Sequence, residues 1–303
     1  MAAYDMPAAT SLRVGSRDVR LTHPDKLLFP DDSITKAEFA AYMRDVAPAM
    51  LPHVRGRPVT LHRFNDGIAG PGFMQKEIPR GAPEWVRRVS VPKEGGTVCH
   101  ALAEDAATLV WLANVNCLTP HVWTSRADRL DRPDRLVVDL DPEDAGEFPR
   151  VVAAALDLRA LLLDAGVTPF AMTTGSRGLH VVVPLRRRYG FDEVLGAARD
   201  LAEALVERAP DERTTAFRKA ERGGRLFVDV LRNRWAQTVV APYAVRARPG
   251  APVAMPVRWE ELEDGSVRRA AQWPMRAALE RVERDGDTWL EIGRAAGRLP
   301  RVA

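Results

Sequence analysis

Cysteine is nearly absent. The 303 residues hold two, Cys99 and Cys117, too few for a disulfide framework and suited to a reducing compartment. No stretch approaches the ~20 apolar residues that a membrane span needs, so no membrane association is expected. The N-terminus lacks a charged region followed by an apolar one, so no secretory signal is read and the cytoplasm is the expected location. Lysine is also scarce: Lys26, Lys36, Lys76, Lys93 and Lys219 stand among 44 basic residues, and the rest are arginine. No internal repeat or low-complexity linker interrupts the chain. What remains is ordinary for a soluble globular chain, with 46% hydrophobic and 28% charged residues. The length suits one large domain or two lobes sharing a core.

The net charge is only +3, with a pI near 9.1. Arginine forks bind phosphate bidentately, which suits a nucleic-acid partner. A GC-rich coding bias supplies the same arginine, so charge by itself decides nothing.

The periodicity predicts a mixed architecture. A strand-like piece covers Ser11 to Arg20. Thr35-Lys36-Ala37-Glu38 has the pattern of a capping box opening a helix, with Phe39, Tyr42, Met43 and Val46 at helical spacing. Residues 62–80 are rich in Gly and Pro and read as a loop. Residues 105–115 are a short apolar helix. Arg135 to Asp141 is a strand stopped by Pro142. Helices follow over 149–164 and 191–208, with strands at Leu179 to Leu185 and Leu226 to Val230. Strands and helices mix without a regular βαβ repeat, so the class expected is α+β. The expected division is a loose tail at 1–10 and one domain over 11–303. Within it, an N-terminal part covers about 11–130, a central core about 131–250, and a C-terminal appendage with Trp273 and Trp289 about 251–303.

The acids carry the chemistry. Asp139 and Asp141 sit two apart on an apolar strand, so both project from one face. Like charges that close repel and raise a pKa unless a cation intervenes. Hard oxygen ligands suit Mg²⁺ or Mn²⁺. Asp229 is a third acid inside a strand. Three carboxylates on adjacent strands can hold two ions ~3.5–4 Å apart for in-line transfer. The alternative is turn chemistry at Asp141-Pro142. Thr173-Thr174-Gly175-Ser176-Arg177-Gly178-Leu179-His180 lies between two apolar strands. It is a candidate anion nest, with Arg177 and His180 as donors, or else a plain hairpin turn. Cys99, His100, Cys117 and His121 match no standard zinc spacing, and Trp111 and Trp123 read as core.

In order, Leu-Thr-His-Pro-Asp-Lys-Leu-Leu-Phe-Pro (21–30), Gly-Phe-Met-Gln-Lys (72–76), His-Val-Trp (121–123), Asp-Leu-Asp-Pro (139–142), Thr-Gly-Ser-Arg-Gly-Leu-His (174–180), Phe-Val-Asp (227–229) and Gln-Thr-Val-Val-Ala-Pro-Tyr-Ala-Val-Arg-Ala-Arg (237–248) follow one another. The set resembles the polymerase domain of bacterial ligase D, in the archaeo-eukaryotic primase superfamily, over about residues 15–263. The resemblance implies a primase-like α+β catalytic core of mixed and antiparallel sheets with flanking helices. It implies that Asp139, Asp141 and Asp229 are the metal-binding catalytic acids for two Mn²⁺ or Mg²⁺ ions. His121, Thr174, Ser176, Arg177, His180 and Arg246 would surround the incoming NTP or dNTP, with Arg248 and Arg222 nearby. Lys26, Lys36 and His23 would grip a DNA 5′-phosphate, meeting it beside free N–H groups at the capped helix start. Arg63, Phe73 and Met74 would touch the template.

The resemblance further implies Mn²⁺ preference, a bias to ribonucleotides, and filling of gaps and double-strand ends in bacterial non-homologous end joining. Ku and a DNA ligase are the implied partners, and the cytoplasmic nucleoid the implied place of work. Arg177 stands where the family commonly has Lys, Thr174 where Ser is common, Met74 where a second aromatic is usual, and His23 where Asn is common. No lysine begins a Lys-x-Asp-Gly motif, so nick sealing by that route is not expected. Two rival functions use the same residues: a metal-dependent nuclease, and a non-catalytic module that binds and bridges DNA ends. Plain solvation is the alternative for Lys26 and Lys36.

Overall fold

The computed structural model describes residues 10–301. The tail expected over 1–10 therefore lies outside the described residues up to residue 9, and Thr10 begins the first strand. The piece read as one strand over 11–20 is a hairpin. Thr10–Val14 and Arg17–Leu21 pair antiparallel around Gly15 at φ +60°, a backbone conformation that glycine adopts without steric cost.

The chain is α+β, with two six-stranded sheets. The first runs in the order Arg213–Thr214, Leu226–Asp229, Arg135–Asp141, Leu179–Pro184, Phe170–Thr173, Pro256–Val257. Only its outermost pair, 213–214 with 226–229, is parallel. The second runs Thr238–Val240, Cys117–Trp123, Pro58–Arg63, Gly96–Leu102, Arg88–Lys93, with Phe73–Gln75 also paired to Pro58–Arg63. That short strand falls inside the segment read as a loop. Three residues, of which Phe73 and Met74 are exposed, carry too little alternation to be read as a strand.

Helices Phe148–Asp164 and Phe191–Glu207 pack on the first sheet, each burying one apolar stripe. Along the central strand Leu136, Val138 and Leu140 are fully buried on one face, which leaves Val137, Asp139 and Asp141 on the other. Lys36–Asp45 begins at the expected capping box, with both reciprocal Thr35–Glu38 bonds formed. Ala106–Asn114 is capped by Asp105, and its buried residues are apolar except Thr108, whose hydroxyl bonds the Asp105 cap. The C-terminal segment packs into this core: Pro256–Val257 ends the first sheet, and the buried Trp289 donates its indole N–H to the Ala171 carbonyl. Trp111 and Trp123 are also buried, as their apolar surroundings predict. Among the described residues no helix is long and apolar enough to cross a membrane.

Two glycines set how closely the 174–178 turn approaches its neighbours. A Cβ on Gly178 would stand 2.0 Å from the Leu140 carbonyl oxygen, and one on Gly175, at φ +64°, 2.8 Å from backbone and the Arg246 side chain. Backbone cannot swing aside as a side-chain tip can. Gly178→Ala is therefore expected to destabilise the fold by about 1–3 kcal/mol or more. Urea unfolding should show a lower midpoint at unchanged slope; an unchanged midpoint would mean that the turn has room to move.

Candidate active site

Backbone register assembles the acidic face. Asp139 lies directly opposite Asp229 on one neighbouring strand and directly opposite His180 on the other. Directly opposed residues share a face, so the three side chains form a row across the sheet, with Asp141 two residues further along. His180 Nε2 is 3.5 Å from Asp139 Oδ1. Arg232 Nη2 is 3.2 Å from Asp229, and its Nε is 4.0 Å from Asp139. Arg177 reaches Asp141 at 3.3 Å and also donates to the Glu143 carbonyl at 3.0 Å.

These cations decide the protonation of the face. Burial opposes ionisation of Asp139, yet His180, Arg232 and Arg246 hold its carboxyl below the ordinary carboxylate value. Asp141 goes the other way. Burial, then the charge on Asp139, raise its pKa against the pull of Arg177. Arg232 was not foreseen. It follows Asp229 by three residues in the short 3₁₀ turn Leu231–Asn233, and that spacing is the signal in the sequence. Buried Asn233 fixes the turn, accepting from Val137 N–H at 2.8 Å and donating to the Val137 carbonyl at 2.7 Å. Among the described residues no group of three or more His, Cys, Asp or Glu side chains is disposed to hold a metal ion. The carboxylates are gathered but neutralised by guanidinium groups rather than closed into a cage.

The second sheet supplies the opposite wall. His121 leaves the Cys117–Trp123 strand beside His62, their rings 6.0 Å apart. Burial, Arg246 and His62 push the His121 pKa down to about 3, so the ring is neutral, with Nδ1–H donating to the Thr119 carbonyl at 3.1 Å. Arg246 Nη1 donates to the Thr174 carbonyl at 3.0 Å, tying this wall to the 174–178 turn. A cavity of about 450 Å³ opens beside it, lined by His62, Thr119, Arg246 and Arg248 among others. His62 and Thr119 were missed because neither stands out in a strand pattern.

The turn is a hairpin connecting two paired strands, as one of the two readings had it. Its hydroxyl is spent internally. Thr174 Oγ1 bonds the Gly178 carbonyl at 3.1 Å and accepts from Gly178 N–H at 3.2 Å. Ser176 is half-buried. Arg222 is tied to its own segment, donating to the Ala216 and Phe217 carbonyls, with its guanidinium 3.9 Å from the Phe227 ring centroid.

The basic cluster lies near the Thr35 cap. Lys36 is buried, not solvated, and its ammonium donates to the Asn114 carbonyl at 3.1 Å. Burial, then Lys26 and Arg63, lower its pKa to about 8. Lys26 bonds the Asn65 carbonyl and lies 3.5 Å from Asp66. The free N–H groups expected at this helix start are not free. Lys36 and Ala37 N–H bond the Lys26 and Pro24 carbonyls, and Thr35 takes Glu38 N–H. Any anion here meets side-chain ammonium groups instead. His23 is exposed, at φ +53° in the turn that leads to Lys26. Arg63 bridges this cluster to the exposed Phe73 and Met74. It donates to Val115, Gln75 and Asn65 while its guanidinium lies 5.4 Å from the Phe73 ring centroid.

Comparison with known proteins bears on this arrangement. The model of the LigD primase-polymerase domain matches residues 35–289. The multifunctional non-homologous end joining protein LigD of Mycolicibacterium smegmatis is 34% identical over 271 residues, 89% of this chain and 35% of the relative. The protein of the same name from Pseudomonas aeruginosa is 33% identical over 294 residues, 96% of this chain and 35% of the relative. The chain thus spans about a third of the length of these curated relatives. A solved structure of the polymerase domain from Mycobacterium tuberculosis ligase D in complex with DNA superposes with a TM-score of 0.84 at 32% identity, covering 91% of this chain and 98% of that one.

Coupling between the two strand acids is directly measurable. Asp139→Asn removes the nearer negative charge, so Asp141 should titrate lower than in the wild type when followed by carboxyl ¹³C NMR. An unchanged Asp141 titration would leave burial alone as the cause of its raised pKa.

Proposed function

The chain belongs to the LigD primase-polymerase family, and from that premise we propose a template-directed nucleotidyltransferase that extends 3′-OH ends at gaps and double-strand breaks in non-homologous end joining. The observation that carries the reading is the row His180–Asp139–Asp229 with Asp141, with Arg246 close enough to act on both Asp139 and His121 and a cavity of about 450 Å³ opening on the other side of Arg246, beside His62 and Arg248. A polymerase needs both halves: carboxylates where metal and 3′-OH meet, and cations where a triphosphate lies.

Three carboxylates on one face are the hard oxygen donors that divalent ions take, although without an ion they pair with Arg232 and Arg177 and are not closed into a cage. Asp139, Asp141 and Asp229 would hold two ions, Mn²⁺ or Mg²⁺. Such ions supply acidification of the primer hydroxyl and neutralisation of the pyrophosphate leaving group. The residues of the chain do the rest. Arg246, Arg177 and Ser176 bind and orient the triphosphate, and neutral His121 offers Nε2 and bulk without adding charge. His180 holds Asp139 ionised. Lys26 and Lys36 grip the 5′-phosphate, with His23 at the rim. Arg63, Phe73 and Met74 meet the template, where one exposed aromatic ring gives less stacking than two. Manganese over magnesium, ribonucleotides over deoxyribonucleotides, Ku and a ligase as partners, and a place at the cytoplasmic nucleoid belong to the same proposal and rest on the family resemblance. So does the division into an end-binding part, a catalytic core and a C-terminal appendage.

Asp139→Ala, Asp141→Ala and Asp229→Ala should each lower primer extension by on the order of 10²–10³ or more, with the thermal transition and DNA affinity retained. Extension of a labelled primer reads this. Shortening of the primer by the wild type would favour the nuclease reading, and full activity in the Asp139→Ala, Asp141→Ala double variant would sink the metal assignment.

The lysine pocket predicts a pH dependence. A phosphate dianion is held by protonated Lys36, and the free protein loses that proton above about pH 8. Preference for a 5′-phosphorylated gap over an unphosphorylated one should be flat from about pH 7, where the terminal phosphate with its second pKa of ~6 is already a dianion, up to that pH. Above it the preference should fall, by up to about tenfold per unit. Using the ratio cancels pH effects common to both substrates, and ionic strength must be held constant. Lys26→Ala with Lys36→Ala should erase the preference at every pH. A preference that survives the double variant would place the 5′-phosphate elsewhere.

A further inference from the structure

A second basic cavity, of about 670 Å³, lies at the other end of the central strand. Arg135 opens that strand and pairs with Pro184 at the far end of its neighbour. Four residues separate it from Asp139, about 13 Å at strand rise. The cavity shares no lining residue with the one beside Arg246.

Its interior holds more positive charge than its acids balance. Asp134 accepts from Arg57 at 2.6 and 2.8 Å and from Arg126 at 2.8 Å, which occupies both of its oxygens. Arg135 is the third guanidinium around that one carboxylate. It is 5% exposed, and no carboxylate lies within ion-pair distance of it among the described residues. Among the described residues its one side-chain hydrogen bond is from Nη2 to His53 Nδ1 at 3.4 Å, and its guanidinium lies 6.0 Å from the Trp289 ring centroid. His53 gives no charge in return: burial lowers its pKa, and its Nε2 faces Asp287 at 2.9 Å. A guanidinium this deeply buried is ordinarily paired with an anion. At the rim, Arg187 is neutralised by Asp128, while exposed Arg129, Arg186 and Arg188 have no acidic partner among the described residues.

We propose that this cavity is a second anion site, taking the phosphoryl group of a phosphate-bearing ligand on Arg135, with Arg129, Arg186 and Arg188 holding the atoms next to it. A planar fork at the base and three exposed forks at the mouth suit tetrahedral oxyanions with further negative charge attached. Nucleic-acid backbone and free polyphosphate share that chemistry. The site is independent of nucleotidyl transfer, because neither Asp139 nor the lysine pocket contributes to it.

The test uses the whole chain in EDTA with two probes: inorganic pyrophosphate, and a twelve-nucleotide single strand without a terminal phosphate. Hydrogen exchange should slow at 184–188 and 290–293 on adding pyrophosphate. Calorimetry should give a Kd at least tenfold weaker for Arg135→Met and three- to tenfold weaker for Arg186→Ser with Arg188→Ser. The second variant changes exposed residues only, so it guards against a folding defect in the first. If the strand displaces pyrophosphate from 184–188, the site takes backbone phosphate. If pyrophosphate binds there and the strand does not, the site takes small polyphosphates; both results uphold it. Protection confined to 174–178 and 246–248, or an unchanged Kd in the rim variant, would overturn the proposal.

Discussion

Antiparallel register between three strands is the constraint on which the site depends. It sets Asp139 between His180 and Asp229 with no freedom to slip, since a one-residue shift would turn all three to the helix-packed face. Two features guard that register. Gly178 lets the hairpin approach the Leu140 carbonyl, and Asn233 continues hydrogen bonding at Val137 after the 226–229 strand ends. The buried Leu136, Val138 and Leu140 anchor the same strand from behind. Core packing and site geometry are thus two faces of one strand.

Gathering carboxylates costs electrostatic energy, and arginine offsets it. Asp139 and Asp141, two residues apart, are pushed in opposite directions because their cations differ. For Asp139 the effects of His180, Arg232 and Arg246 outweigh burial, while Asp141 has Arg177 against both burial and Asp139. The arrangement holds negative charge ready in a partly buried face without collapsing it into neutral acids. On the facing wall the logic reverses. Burial and Arg246 keep His121 neutral, so positive charge there is concentrated on arginine.

The same residue type does different work at three places. At the acidic face arginine balances carboxylates. At Arg63 it links the lysine pocket to the exposed aromatic edge through three hydrogen bonds and a ring contact. Around Arg135 it exceeds the available acid, and a cavity opens where the missing anion would sit. The excess is local: a net charge of +3 over the chain hides both a carboxylate face and two cationic hollows.

Sequence alone determined those parts that short-range rules govern. Alternation on 135–141 put Asp139 and Asp141 on one face, the Thr35–Glu38 pair began a helix, and the order of motifs pointed to the family. Long-range pairing was beyond it. That Asp229 stands opposite Asp139 follows from a strand nearly ninety residues away, and nothing local encodes that register. Phe73–Gln75 escaped notice because three residues are too few for a period, and the hairpin at 10–21 because Gly15 breaks its alternation midway. Plain solvation stayed open as the alternative for Lys36 because burial is a property of what folds over a residue, here the Asn114 carbonyl and its surroundings. The helix-start N–H groups looked free because their acceptors, Pro24 and Lys26, reach them only through the turn at His23. Tertiary structure decided charge balance as well: a sequence lists arginines, but only the packed chain determines which of them find a carboxylate, because pairing depends on distances that folding alone creates.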